Sequence, residues 1–193
     1  MSFLRGNQKQ LLVSGFESRK NQELGFTFRK NLSKKWTSLS QIKYNLLQNE
    51  SDFLVNRNFL IESIGLQPQI TYQPSPNLRV SLANLQSQKN NLQGSENLYL
   101  QEWSTELRWS KPSSFVMAAQ IRLVDLRFVD ETASPVAYEM LEALQAGKNW
   151  VWTATYQQRL GNGLQINFTY NGRKMPLTPN IIHFGQVQAG VLF

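Results

Sequence analysis

Hydrophobic and polar residues alternate with a period of two along most of the chain, the pattern of strands whose two faces meet different surroundings. From Trp150 to Arg159, the residues Trp150, Trp152, Ala154 and Tyr156 fall on one face, and Val151, Thr153, Thr155, Gln157 and Arg159 on the other. After Gly161-Asn162-Gly163, residues suited to a tight turn with positive φ, Leu164, Ile166, Phe168 and Tyr170 alternate with Gln165, Asn167, Thr169 and Asn171. The same grammar covers Leu24–Arg29, Leu78–Ala83, Tyr99–Trp109 and Phe115–Leu123. It is less clean in Trp36–Leu47 and in Phe59–Tyr72, where Pro68 predicts a bulge because it lacks a ladder N–H. A weak first strand is expected near Gln10–Ser18.

Connection lengths sort by end. Asn31–Lys35, Pro74–Asn77, Ser110–Ser113 and Gly161–Gly163 are short, whereas Gln48–Asn58, Gln86–Ser95, Val129–Asn149 and Lys174–Asn180 are longer. Outer-membrane barrels pair short periplasmic turns with longer outer loops in this way. One stretch leaves the period of two. Ser134 suits a helix N-cap, Pro135 the first helical position and Gly147 the C′ position, with Ala137, Met140, Leu141 and Leu144 on one stripe. Counting it as a helix leaves about ten strands, an even number that returns both chain ends to the turn side. The expected fold is therefore all-β: an antiparallel up-and-down transmembrane β-barrel of about ten strands, or part of a larger one. Residues 1–193 form one domain, and one short helix sits in an outer loop at about 130–149.

Composition narrows the class. Charged residues are 17% of the chain, below the roughly 25% of soluble domains, and Asn and Gln together outnumber them. Mean hydropathy is −0.39, an average over lipid-facing and lumen-facing positions that hides a barrel. No apolar run approaches the roughly 20 residues of a spanning helix. There are no cysteines, which excludes a disulfide scaffold and thiolate metal sites. The net charge of +7 is scattered, apart from Lys34-Lys35, and lacks the clustered stripe of a nucleic-acid binder. No apolar h-region follows Met1-Ser2-Phe3-Leu4-Arg5, so no signal peptide is read there; the expectation is a piece of a longer exported precursor.

Counting back in twos from Phe193 gives Val191, Ala189, Val187 and Gly185, with Gly190, Gln188 and Gln186 between them. A terminal aromatic preceded by alternate apolar positions resembles the terminal signal of bacterial outer-membrane proteins. That resemblance implies recognition of the last strand by the barrel-assembly machinery, and its free edge could pair by strand addition. Aromatic residues sort as two belts: Trp36, Tyr72, Trp109, Phe115 and Phe193 toward the turns, and Tyr44, Tyr99, Trp150, Trp152 and Tyr170 toward the loops, as a bilayer selects. The stretch Ala137–Trp150, then Leu164–Arg173 and the terminal strand, resembles the C-terminal β-barrel region of large, mostly uncharacterised outer-membrane proteins of the Bacteroidota. The resemblance covers about the last third of the chain and implies an outer-membrane location, a lipid-bilayer partner and a longer parent chain, with no catalytic residue to carry over.

Candidate chemistry is then electrostatic. Arg29, Lys43, Arg79, Glu102, Glu106, Arg108, Arg122, Arg159 and Arg173 are expected to face the lumen. Among them Arg79, Glu102, Glu106, Arg108 and Arg122 are the candidate ion network, since the two glutamates lie on the strand between Arg79 and Arg122. No cofactor, metal site or nucleic-acid partner is expected, and the chain is not expected to be an enzyme. The function expected is a structural, transport or surface-interaction role in the outer membrane. Two alternatives are a rim-located hydrolase using His183 with Asp125, Asp130 and Glu131, and a soluble antiparallel barrel or sandwich acting as a binding module. His183 shares its parity with Val191 and Phe193, which points it away from the lumen.

Overall fold

The computed structural model describes residues 1–12, 15–52, 54–111, 114–129, 134–160 and 163–191. Its strands are β1 (Ser2–Leu12), β2 (Gly15–Asn31), β3 (Trp36–Ser51), β4 (Phe59–Ser75), β5 (Leu78–Asn91), β6 (Asn97–Lys111), β7 (Phe115–Val129), β8 (Gly147–Arg159), β9 (Leu164–Lys174) and β10 (Ile182–Val191). One helix, α1 (Pro135–Leu141), lies between β7 and β8. The ten strands form one sheet in chain order, and every neighbouring pair is antiparallel. An all-β, up-and-down architecture with one short helix is thus what the alternation specified. Phe193, Asp130, Glu131 and the Gly161-Asn162 turn lie outside the described residues.

Four expectations need correction. The first strand is not Gln10–Ser18; those residues divide between the end of β1 and the start of β2, where Leu12 pairs with Gly15. Alternation failed there because Arg5, Asn7 and Lys9 share the face on which β2 carries Leu24. Pro68 carries no bulge: the register between β4 and β5 is the same on both sides of it, and the shift falls between Tyr72 and Ser75, around Pro74. The helix does not run to Gly147. It stops at Leu141, with Glu142 (φ 53°) and Ala143 (φ 62°) in the left-handed region, and Gly147 (φ 104°) spends its freedom at the start of β8 instead. Finally, the sheet is open. Among the described residues β1 pairs only with β2 and β10 only with β9, and both edges are exposed along their length.

The strands are longer than the clean alternation, so the connections shrink to 52–58 and 92–96; β1 and β2 are separated by only two residues on that same end, so the sorting of connections by length does not hold there. Register carries one parity across the sheet. The pairs Arg29–Leu39–Gln69–Ala83–Ser104–Arg122–Val151–Arg173 run along one face, and Trp36–Tyr72–Val80–Leu107–Ala119–Ala154–Tyr170–Gly185 along the other. The first face is concave. A single cavity of about 240 Å³ is lined by Glu23 of β2, Val124 of β7 and residues of every strand between them. Six strands at about 4.8 Å spacing would span over 20 Å if flat, so the sheet must curl.

The convex face packs against itself. Trp36 and Tyr72 rings lie 4.5 Å apart, and Trp109 meets Phe115 at 5.0 Å. The Trp152 indole covers Gly172, where a Cβ would stand 2.2 Å from Trp152 Cε2; only glycine leaves room for that ring.

The buried core lies on the concave side, at the loop end. Phe59 and Ile61 of β4, Leu98 and Leu100 of β6, and Val124 and Leu126 of β7 surround Val136 and Met140 of α1. Met140 and Leu98 are each 1% exposed, and burial of such side chains contributes about 1.5–3 kcal/mol apiece. Ser134 Oγ caps α1 by accepting from Ala137 N at 3.0 Å. At the other end Lys89 Nζ of β5 donates to Met140 O at 3.0 Å and to Glu142 Oε1 at 2.6 Å, which holds the left-handed corner that stops the helix. Asn149, fully buried, donates to Gln145 O at 2.6 Å and Gly147 O at 3.0 Å. Met140→Ala is expected to cost about 2–4 kcal/mol and to free α1. Amide exchange should then speed at 135–141 while the β6–β7 ladder stays protected; uniform loss of protection would contradict a docked helix.

Candidate functional site

The concave face is built from the inward parity of β2 to β9, and it changes character from one end to the other. Nearest the loops it is apolar and filled by α1. Below α1 lies the cavity, where cations and carboxylates alternate. Arg122 of β7 makes a two-point contact with Glu102 of β6, Nε to Oε1 at 2.9 Å and Nη2 to Oε2 at 2.6 Å. The Glu102 side chain is 10% exposed and that of Arg122 37%. Fork-on-fork geometry of this kind is the strong form of the ion pair. Lys43 Nζ reaches Glu23 Oε1 at 3.3 Å, and Lys89 reaches Glu142 at 2.6 Å. Each cavity cation thus has its own carboxylate, and the cavity is close to neutral.

Further toward the turns the face is polar and uncharged. Thr71 and Ser81 hydroxyls lie 3.0 Å apart, Gln69 Nε2 donates to Thr71 at 3.3 Å, and Thr153 Oγ1 donates to Asn171 Oδ1 at 2.9 Å. At the turn end the charges return. Arg79 Nη2 lies 3.3 Å from Glu106 Oε1. Arg108 stands directly opposite Arg79 in the ladder and makes no ion pair among the described residues.

All nine residues expected to share the inner face do so by register. Of the five in the expected ion network, the fold joins Arg122 with Glu102 and Arg79 with Glu106, as two separate pairs, and leaves Arg108 apart. Sequence reasoning missed Lys89 and the contacts of α1, including the ion pair of Arg19 on β2 with Glu139. Lys89 falls within the expected connection Gln86–Ser95; the signal that finds it is the same period of two continued through Leu85 and Ser87.

On β10, Gly185, Val187, Ala189 and Val191 pair with Tyr170, Phe168, Ile166 and Leu164 and share the convex face, while Phe193 lies outside the described residues. His183 is on that convex face too. Its Nδ1 lies 2.7 Å from Tyr170 Oη, and its ring packs against Tyr170 and Trp152. Asp125 instead pairs with Arg127 at 3.9 Å. No described carboxylate reaches His183, and no cluster of three acidic or histidine side chains suits a metal ion among the described residues.

Fold and site together define a curled antiparallel meander with an apolar outer face and a helix seated in its polar inner face. Comparison with protein-family models and with curated proteins finds no match to this chain.

The exposure difference between the two pairs sets their energies. Arg122→Met is expected to destabilise by roughly 2 kcal/mol, between the exposed-pair and buried-pair limits. Glu106→Gln, at a pair exposed by 43% and 39%, should cost less than about 1 kcal/mol. Denaturant midpoints measure both; equal losses would show that burial of Glu102 is not what strengthens its pair.

Proposed function

We propose that the chain is an outer-membrane β-barrel protein, or a barrel segment, with its convex face in lipid and its concave face plugged at the loop end by α1. The role is structural, transport or surface interaction rather than catalysis. The observation that carries the reading is the course of the apolar band over the convex face. Level with Trp36, the turn-side limit on β3, the ladder arrives at Gly185 on β10, yet apolar positions there continue to Val191, six residues further. The loop-side limit drifts in the same sense. Trp150 is level with Leu123, Trp103 and, through β5 and β4, with Ser40, whereas apolar residues of β3 reach Leu46, six further.

The drift is thus about one residue per strand. At about 3.3 Å per residue and 4.8 Å between strands it makes the strands lean about 30–40° from the normal to the band. That is the tilt of strands in a closed or closing barrel. A level belt crossing tilted strands is what a bilayer selects. A soluble sheet with Phe26, Ile64, Trp103 and Ile121 each about half exposed would present an apolar patch far beyond what monomers tolerate. Polar residues of the same parity, Gln88, Asp125 and Lys148, close the band on the loop side. Tyr44, donating to Glu62 at 2.8 Å, stands on that border, where an amphipathic ring belongs. Open edges on β1 and β10 fit a sheet completed by further strands, since unpaired backbone is untenable in hydrocarbon.

Two arginine substitutions test the reading, with folding into lipid vesicles followed by gel mobility and denaturant titration. Ala119→Arg, at mid-band on the convex face, should cost about 2–4 kcal/mol, as at a bilayer midplane. Thr153→Arg, at nearly the same level on the concave face, should cost less than about 1 kcal/mol. Equal effects, or folding that needs neither lipid nor detergent, would sink the proposal.

A further inference from the structure

The two ends of the sheet differ in charge, and the difference accounts for the charge of the whole molecule. Near the short turns the inward parity carries Arg29 on β2, Arg79 on β5, Arg108 on β6 and Arg159 on β8. The outer parity and the turns of that end carry Lys30, Lys34, Lys35 and Lys111. Glu106 is the acid of that end among the described residues. Eight cations against one carboxylate leave an excess of seven, which equals the +7 of the entire chain. The three cations lining the cavity are each paired with a carboxylate; those of the turn end, apart from Arg79, are not.

Within that half the side chains are sorted by type, arginine inward and lysine outward. Lysine beside an aromatic belt is expected of a rim that keeps its ammonium groups in water. Arginine on the inner wall is different. Arg79 and Arg108 are directly opposite one another, a like-charge arrangement that destabilises a ladder, and the single Glu106 carboxylate lies against Arg79. Both guanidinium groups are exposed to the open inner face. An oxyanion spanning the two forks would relieve the repulsion and meet the geometry that guanidinium pairs hold best.

We infer that the turn-end mouth of the concave face is an oxyanion site, centred on Arg79 and Arg108 and flanked by Arg29 and Arg159, for a ligand bearing phosphate groups. The ligand enters from the turn side along the hydroxyl and amide strip of Thr71, Ser81 and Gln69 and stops at the ion-paired cavity below α1. Phosphate on a free solute and phosphate on a lipid headgroup share this chemistry. The assignment stands on one face of the sheet and does not rest on the convex face lying in a membrane.

Equilibrium binding of pyrophosphate to the full chain, folded in a neutral detergent at near-physiological salt, tests it. Saturable binding is expected, weakened about tenfold or more by Arg108→Gln, as for loss of a charge-assisted fork, and less by Arg108→Lys. The double variant Lys34→Gln/Lys35→Gln removes more charge from the outer rim and should change affinity by less than about threefold, the residue of long-range screening. Repeating the titration in phosphatidylglycerol nanodiscs identifies the source. Competition by the lipid assigns the site to a headgroup, and unchanged pyrophosphate binding assigns it to a free phosphate. No saturable binding, or an equal loss in the lysine variant, overturns the site, because only net charge would then be at work. Folding of each variant is read separately by gel mobility, so failure of the membrane reading is distinguishable.

Discussion

Everything in this molecule depends on a two-residue period kept in phase through nine consecutive ladders. A slip by one residue in any hairpin would exchange the faces of every strand beyond it, setting arginines beside tryptophans. The register does shift once, between Tyr72 and Ser75, at the turn end of β4, where a single pair follows and no face is inverted. Trp36, Tyr72, Trp103, Trp109 and Trp150 therefore remain on one surface although they come from four different strands.

The phase also explains why the inner face can be graded along its length. Inward positions are free of the demand for hydrophobicity that governs the outer ones, so their chemistry varies with height: apolar against α1, ion-paired below it, uncharged polar next, and cationic at the turns. The helix is the hinge of this gradient. Its buried Met140 and Val136 make the loop end a conventional packed core, while the Lys89 contacts at its C-terminal corner join that core to the charged cavity. A proposed membrane protein thus has its tightest packing inside its own curvature, away from the face assigned to lipid.

Much of this was legible in the residues. The faces of β7, β8 and β9 follow directly from alternation, and the N-cap at Ser134 with Pro135 behind it announced α1. What escaped had local causes. β1 carries Arg5, Asn7 and Lys9 on the face its neighbours make apolar, so periodicity gives no signal there. The helix end was misplaced because glycine is the usual left-handed residue, while here Glu142 and Ala143 take that conformation under tertiary constraint from Lys89 and Asn149. The ion pairs were half legible: adjacency of strands put Glu102 near Arg122 and Glu106 near Arg79, but side-chain reach, and the isolation of Arg108, needed coordinates. Closure of the sheet is a property of both edges at once, which no single segment encodes.

The contact between Arg19 and Glu139 joins residues 120 positions apart, while each hairpin ladder joins neighbours in the chain. Hairpins of a meander can zip one after another with small closing entropy, whereas a link of that span must wait until the intervening strands have drawn its ends together. Curling of the sheet and seating of the helix are then late and mutual events. A nascent sheet would stay splayed, its inner face wet and its edges open, until β2 and the helix meet. The order of assembly is thus written into an ion pair that crosses the curve instead of following it.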